Sequence, residues 1–439
     1  MFRKLLSLSS SLAFTFVTVL IVAATVSSAA AQSESVIHRF TRTTTDGGIP
    51  GAGLIADKKG NLYGSTVRGG AYDQGTVFQL APPAAAGGSW TQTILYSFSG
   101  ATDGADPGSL IFDAAGNLYG NAFYGGDPDY GSGVIFELSP PASSGGAWTQ
   151  KVLYAFDSGS GMDGANPVGN LVFDAAGNLY GGTAGGGAGS IYCGESGCGV
   201  VFQLKPPAIS GGSWTESVIY EFFTTGTTDG FGPSGVLLGP GGVLYGTTAY
   251  GGAAGVGTFF KLTPPLSSGM WAEKILYNFT GTSGDSRFPN ALTAGKKGIL
   301  YGTAGFGGSA NDGTVFQLMP PTAGGTWTES VLYSFTGGSD GAAPPAGVVL
   351  DPAGNLFGTT SRGGTVPCAG AGCGTVYELS PPATSGGSWT ETTLHDFAGG
   401  RDGFAPSAGN LLYTKGVLFG TTEGGGTTSN YGTVYRIVP

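Results

Sequence analysis

Histidine, cysteine and charge are all scarce in this chain. Its 439 residues include two histidines, four cysteines and only 10% Asp, Glu, Lys and Arg. With so little to work with, no Ser/His/Asp arrangement, metal-ligand cluster or phosphate loop emerges, so no catalytic residue, metal or cofactor is expected. Glycine pairs recur everywhere, so no Gly-rich motif carries information. Beyond the N-terminus no stretch has the 3.6-residue apolar rhythm of a helix, which excludes a helical fold. Only one long apolar run exists, so no membrane span is expected once it is removed.

That run is a targeting segment. Arg3 and Lys4 precede the apolar stretch Leu12–Val26, and "SSAAAQS" offers a small-residue cleavage site after Ala31. The competing reading, an uncleaved anchor, meets a run that is short for a spanning helix. No cysteine follows the run to take a lipid. A signal peptide over 1–31 and an exported mature chain are therefore expected. Without those residues the chain carries 16 Lys+Arg against 28 Asp+Glu, or −12. A sparse acidic surface suits neither a phosphate backbone nor anionic lipid, so nucleic acid is not an expected partner.

What the chain has is glycine, 85 residues of it, spread among Val, Ile, Thr, Tyr and Phe, with 12% aromatics. The aromatic and β-branched content argues against disorder. The mixture reads as many short strands joined by tight turns. The phrase "LYG" or "LFG" occurs seven times, with its aromatic at Tyr63, Tyr119, Tyr180, Tyr245, Tyr301, Phe357 and Phe419, spaced 56 to 65 residues apart. Before each comes an apolar run and a turn such as "AAGN". After each comes a strand like "GTVFQL" (Gly75–Leu80), then a strand of the form "WTxxxLYxF".

Four strand candidates per repeat and seven repeats predict a seven-bladed β-propeller, one domain over 32–439. A linear solenoid is the alternative, but solenoids need distinct polar caps, and none is visible. The termini are complementary. The last repeat stops after three strands at "GTVYRIVP", and "SVIHRF" (Ser35–Phe40) is one orphan copy of the fourth. A last blade of three strands plus one is the expectation. Trp90, Trp148, Trp214, Trp271, Trp327 and Trp389 each open an outermost strand and are expected to pack on a neighbouring blade; the orphan copy has none.

The pattern "NLYGTTxxGGxxxxGTVFxL" resembles the GloVer tandem repeat of exported bacterial proteins with varied surface anchors, over essentially the whole mature chain. The resemblance implies an extracellular or surface location and supplies no established activity. The chain ends at its last strand without a sorting tail, which favours a released or periplasmic protein over an anchored one.

Two loops per repeat are expected on one face. The first carries Asp-(Gly or Ser)-x-x-Pro, with aspartates at Asp46, Asp103, Asp163, Asp229, Asp285, Asp340 and Asp402. Their regularity reads as a turn in which the carboxylate accepts backbone N–H groups, rather than as calcium or catalytic ligands. The second loop varies. Before its Gly-Gly pair stand Arg68, Tyr124, Gly185, Tyr250, Phe306, Arg362 and Gly424, and its tips add Tyr72, Asp73, Asp127, Asp129, Tyr130, Tyr192, Asp312 and Tyr431. Variable aromatics and arginines on a rigid scaffold read as a recognition surface for a neutral glycan or a protein; tolerated surface variation is the bland alternative.

Cys193/Cys198 and Cys368/Cys373 fall in that variable loop of repeats three and six, which predicts two local disulfides. A shared metal would need all four thiolates in one coordination sphere, which blades far apart forbid. His38 and His395 occupy the tyrosine slot of the outer strand. The leading expectation is an exported, noncatalytic, monomeric propeller that binds a glycan, cell-wall material or another surface protein through its variable-loop face. A propeller glycosidase or lyase would need a carboxylate pair that breaks the repeat, and Glu423 is the one candidate irregularity. A structural surface protein without a ligand is the third reading.

Overall fold

The computed structural model describes residues 33–439, apart from 86, 128–130, 144, 158–162, 188–192, 194–196, 210, 224–227, 267–269, 283, 323–324, 369, 385 and 408. The expected signal peptide, Asp129, Tyr130 and Tyr192 lie outside the described residues. Seven antiparallel sheets stand in a ring as a seven-bladed β-propeller. Among the described residues no helix is long and apolar enough to cross a membrane.

Blade two shows the plan: Ala105–Phe112 innermost, then Leu118–Tyr124, Val134–Ser139 and Thr149–Ala155 outermost. The second and third strands are almost wholly buried, as strands covered on both faces must be. The inner edge is broken in blades one, five, six and seven. In blade one Gly47–Pro50 and Ile55–Ala56 pair separately with Leu62–Gly69. In blade seven the strand Ser33–Arg39 lies antiparallel to Thr433–Val438, with Ser33 opposite Val438 and Arg39 opposite Thr433.

The repeat's invariants are contacts between blades. The phenylalanine ending each outer strand is buried edge-on against the third-strand aromatic of the next blade. Phe98 meets Phe136, Phe156 meets Phe202 and Phe335 meets Tyr377, with centroids 5.0–5.3 Å apart. Each tryptophan reaches back to the "LYG" or "LFG" aromatic of the preceding blade: Trp148 to Tyr63, Trp214 to Tyr119, Trp271 to Tyr180, Trp327 to Tyr245, Trp389 to Tyr301 and Trp90 to Phe419. Phe357 faces the blade whose outer strand lacks tryptophan. It keeps the inner-strand contact that Tyr63 makes with Phe112 and Tyr119 with Phe173, here with Tyr413 at 5.7 Å and nearly parallel.

The glycine of "LYG" has a steric reason. A Cβ on Gly64 would fall 2.7 Å from the Phe78 ring, so the third-strand aromatic can lie flat only over glycine.

Candidate functional site

The two loops expected to share a face are tied together in every blade. The first is held by its aspartate. Asp46 accepts from Thr41 N at 2.8 Å, Thr41 Oγ1 at 2.7 Å and Gly47 N at 2.8 Å. The outer strand supplies a further partner. Tyr96 donates to Asp103 at 2.9 Å, Tyr154 to Asp163 at 2.6 Å, and Tyr220 to Asp229 at 2.9 Å. His38 and His395 fill that slot at 3.2 Å from Asp46 and Asp402. Such donor sets account for the seven carboxylates as turn-holding groups.

The variable loop is fixed at its base. A buried threonine two residues earlier bonds the carbonyl of the variable residue: Thr66 to Arg68 O at 2.8 Å, Thr248 to Tyr250 O at 2.9 Å, Thr360 to Arg362 O at 2.9 Å. The following glycine pair then turns under the aspartate loop. Gly69 has φ +84, and a Cβ there would sit 2.5 Å from Asp46 O. Gly70 N bonds that same carbonyl at 2.9 Å. The backbone is held while the side chain differs from blade to blade, which is the arrangement a recognition surface needs.

Successive blades are latched through the residue before each proline. All seven take a left-handed backbone: Ile49, Asp106, Asn166, Phe288, Ala343 and Ala405 with φ 50–58, and Gly232 with φ 64. The N–H this exposes bonds a carbonyl in the preceding blade's variable loop. Ile49 donates to Tyr431 O at 2.7 Å, Asn166 to Ser132 O at 2.7 Å, and Phe288 to Val256 O at 2.9 Å. Gly232 and Ala405 donate to Cys198 O at 3.2 Å and Cys373 O at 2.9 Å. Both disulfides form, with Cα–Cα distances of 5.3 and 5.0 Å, so each staples the loop that carries a latch acceptor.

These loops bring some of the variable residues together. The first unspecified position of each Asp-x-x-Pro loop stands opposite the variable residue: Gly48 faces Arg68, Ala105 faces Tyr124, Phe231 faces Tyr250, and Arg287 faces Phe306. In blades four and five these pairs fuse into a continuous aromatic strip. Phe223 meets Phe231 at 5.4 Å, Phe231 stacks on Tyr250 at 5.2 Å and 21°, Tyr250 touches Phe288 at 5.3 Å, and Phe288 meets Phe306 at 5.8 Å. The Arg287 guanidinium lies 5.1 Å over Phe288. Tyr250 and Phe306 are exposed at 47% and 40%, a large apolar area to leave in water. Phe223, Phe231, Arg287 and Phe288 were not among the sequence candidates; the signal was the aromatic content of "DGFGP" and "DSRFP", which the turn reading absorbed.

The other candidates scatter. Tyr124 is exposed beside Phe123 at the mouth of the central channel. Arg68 is committed to Asp106 of blade two. Tyr431 lies 5.5 Å beneath Arg42, which also grips Asp73 with two nitrogens; Arg42 holds that carboxyl near about 2. Tyr72 is a projecting tip, Arg362 is exposed, Asp127 and Asp312 are half-buried, and Gly424 lies under the ring of Phe404. Glu423 is solvent-exposed at the end of its strand, and nearby protein still raises its carboxyl pKa without help from another carboxylate.

The channel, about 680 Å³, is lined by glycine, proline and aliphatic side chains together with the carboxamides Asn121, Asn170, Asn290 and Asn410. Asp106 is the one carboxylate among its described lining residues. Several polar groups there join blades: Asn170 donates to Val236 O at 2.9 Å, and Asn290 to Pro344 O at 2.9 Å. Asn121 Oδ1 is buried without a partner.

A family model described as the Gloeobacter/Verrucomicrobia repeat matches residues 22–207, 190–324 and 266–439. No curated protein sequence matches the chain. Among solved structures, a luciferin-regenerating enzyme is similar at 11% identity and TM-score 0.44, covering 93% of this chain and 95% of that one. A puromycin-hydrolyzing peptidase of Mycobacterium tuberculosis is similar at 12% identity and TM-score 0.48, covering 88% of this chain and 51% of that one. These are distant likenesses of fold.

Proposed function

This chain belongs to the Gloeobacter/Verrucomicrobia repeat family, and on that footing we propose that it is an exported, monomeric, noncatalytic propeller that binds a neutral glycan or a surface protein through its variable-loop face. The observation that carries this reading is the strip Phe231–Tyr250–Phe288–Phe306, half-exposed on a face whose backbone is locked. Aromatic faces stack on the C–H surfaces of sugar rings and on apolar peptide side chains while excluding water. The two disulfides suit an extracytoplasmic location.

A glycosidase or lyase reading finds no acid pair among the described residues that line the channel. Asp106 is occupied by Arg68, and no carboxylate neighbour acts on Glu423. Retaining and inverting chemistry both need two carboxyl groups, about 5–9.5 Å apart, across the scissile bond. A glycan array probed with wild type and with a Tyr250→Ala/Phe306→Ala variant tests the binding reading. Signals should appear for wild type and fall at least about tenfold in the variant, the scale of losing two stacking contacts. Equal signals from both would remove the strip from the argument.

A further inference from the structure

The slot where each outer strand meets the aspartate loop has a third member, supplied by the next blade's outer strand. In blade one it is an amide, Gln92, which donates to Asp46 at 2.8 Å beside His38. Where blade six meets blade seven the third member is Glu34, contributed by the N-terminal strand Ser33–Arg39. It faces His395, on Thr390–Asp396, and Asp402, in the loop that follows. One donor atom from each of the three lies within 4.8 Å of the others.

The geometry points to a binding site for a divalent d-block cation at Glu34, His395 and Asp402, one that fastens the N-terminal strand to the ring. An ion bound tetrahedrally at about 2.0–2.1 Å holds its ligand atoms about 3.4 Å apart. His395 Nε2 and Asp402 Oδ2 already stand 3.2 Å apart. The Glu34 carboxylate lies within 4.8 Å of both. Its Oε1 is shut away from solvent with no hydrogen-bond partner, so one ligand atom stands ready. Two carboxylates and a neutral imidazole carry −2, which balances a divalent ion, and the mixed nitrogen and oxygen donors suit zinc better than calcium or magnesium. The neighbouring Arg39 donates its Nε to the Arg401 carbonyl at 3.1 Å, and its charge acts on both carboxylates without a hydrogen bond to either.

The repeat itself supplies the controls. Tyrosine fills the His395 slot in five blades and still donates to its aspartate, so His395→Tyr should fold while losing its nitrogen ligand. Glu34→Gln copies Gln92. The full chain, stripped with chelator, is titrated with zinc chloride by calorimetry and melted with and without the ion. Wild type should bind one zinc and melt at a higher temperature in its presence, because the ion favours the folded state. His395→Tyr and Glu34→Gln should each weaken binding at least about tenfold and abolish the melting shift, while His38→Tyr leaves both intact. No zinc binding by wild type would overturn the site, as would undiminished binding by the first two variants.

Discussion

Phe40 packs edge-on against Phe78, their ring centroids 5.3 Å apart. Phe40 belongs to the N-terminal segment beside blade seven, and Phe78 to blade one. The pair repeats the contact of Phe98 with Phe136 and of Phe397 with Tyr435. Phe40 is fully buried although it lies only seven positions from Ser33, the first described residue. Truncating a buried phenylalanine inside a domain costs about 3–5 kcal/mol. Phe40→Ala should therefore destabilise by as much as Phe156→Ala, measured by denaturant unfolding. A terminal strand that frays would make Phe40→Ala nearly silent, and that result would remove it from the ring's cooperative core. Deleting Ser35–Thr41 should lower the melting temperature further still.

The sevenfold contacts were legible in the sequence because they sit in strands. There the period-2 alternation and the phrases "LYG", "TVF" and "WT" recur in fixed order, and a fixed order of four strands implies the blade. The partners across blades were not legible. Trp148 and Tyr63 are 85 positions apart, and nothing in either copy names the other. The aromatic strip escaped for a related reason. Phe231 and Phe288 occupy unspecified positions of a turn, and their neighbours Tyr250 and Phe306 lie in another loop. Only the antiparallel register, with Phe231 opposite Tyr250, joins them.

The left-handed residue before each proline makes a second prediction. Ile49 holds φ 58 with a β-branched side chain, a conformation that costs of order 1 kcal/mol or more. It persists because its N–H reaches Tyr431 O at 2.7 Å. Asn166 holds the same backbone in blade three, and asparagine tolerates it better. Ile49→Asn should raise stability by about 1 kcal/mol, read as a melting shift of a few degrees. An Ile49→Asn variant no more stable than wild type would show that the left-handed backbone carries little strain at this position.

Reduction of the disulfides should be felt one blade away. Cys198 O and Cys373 O receive the latch hydrogen bonds from Gly232 and Ala405. Each disulfide closes a short loop, with stabilisation of roughly 2 kcal/mol. Hydrogen exchange at the Gly232 and Ala405 amides should accelerate on reduction. The Phe288 amide, bonded to Val256 O in an unstapled loop, should not change. Equal acceleration at all three would mean that the disulfides act globally rather than through their own latches.

The pH dependence follows from the third member of the aspartate slot. Glu216, Glu273 and Glu329 are pushed up to about 7, mainly by burial and secondarily by Asp163, Asp229 and Asp285. In the unfolded chain each titrates near 4.5. Between those values the folded state holds more protons, so stability falls as pH rises from about 4.5 to about 7 and stays reduced above. Blades one and two avoid this penalty with Gln92 and Gln150 in the equivalent position. The triple variant Glu216→Gln/Glu273→Gln/Glu329→Gln should match wild type near pH 4.5. At pH 8 it should be more stable by on the order of 1 kcal/mol per site, since partial exposure screens the full effect. Denaturant midpoints across pH 4.5–8 measure the slope. A triple variant that kept the wild-type slope would place the proton-linked instability elsewhere in the molecule.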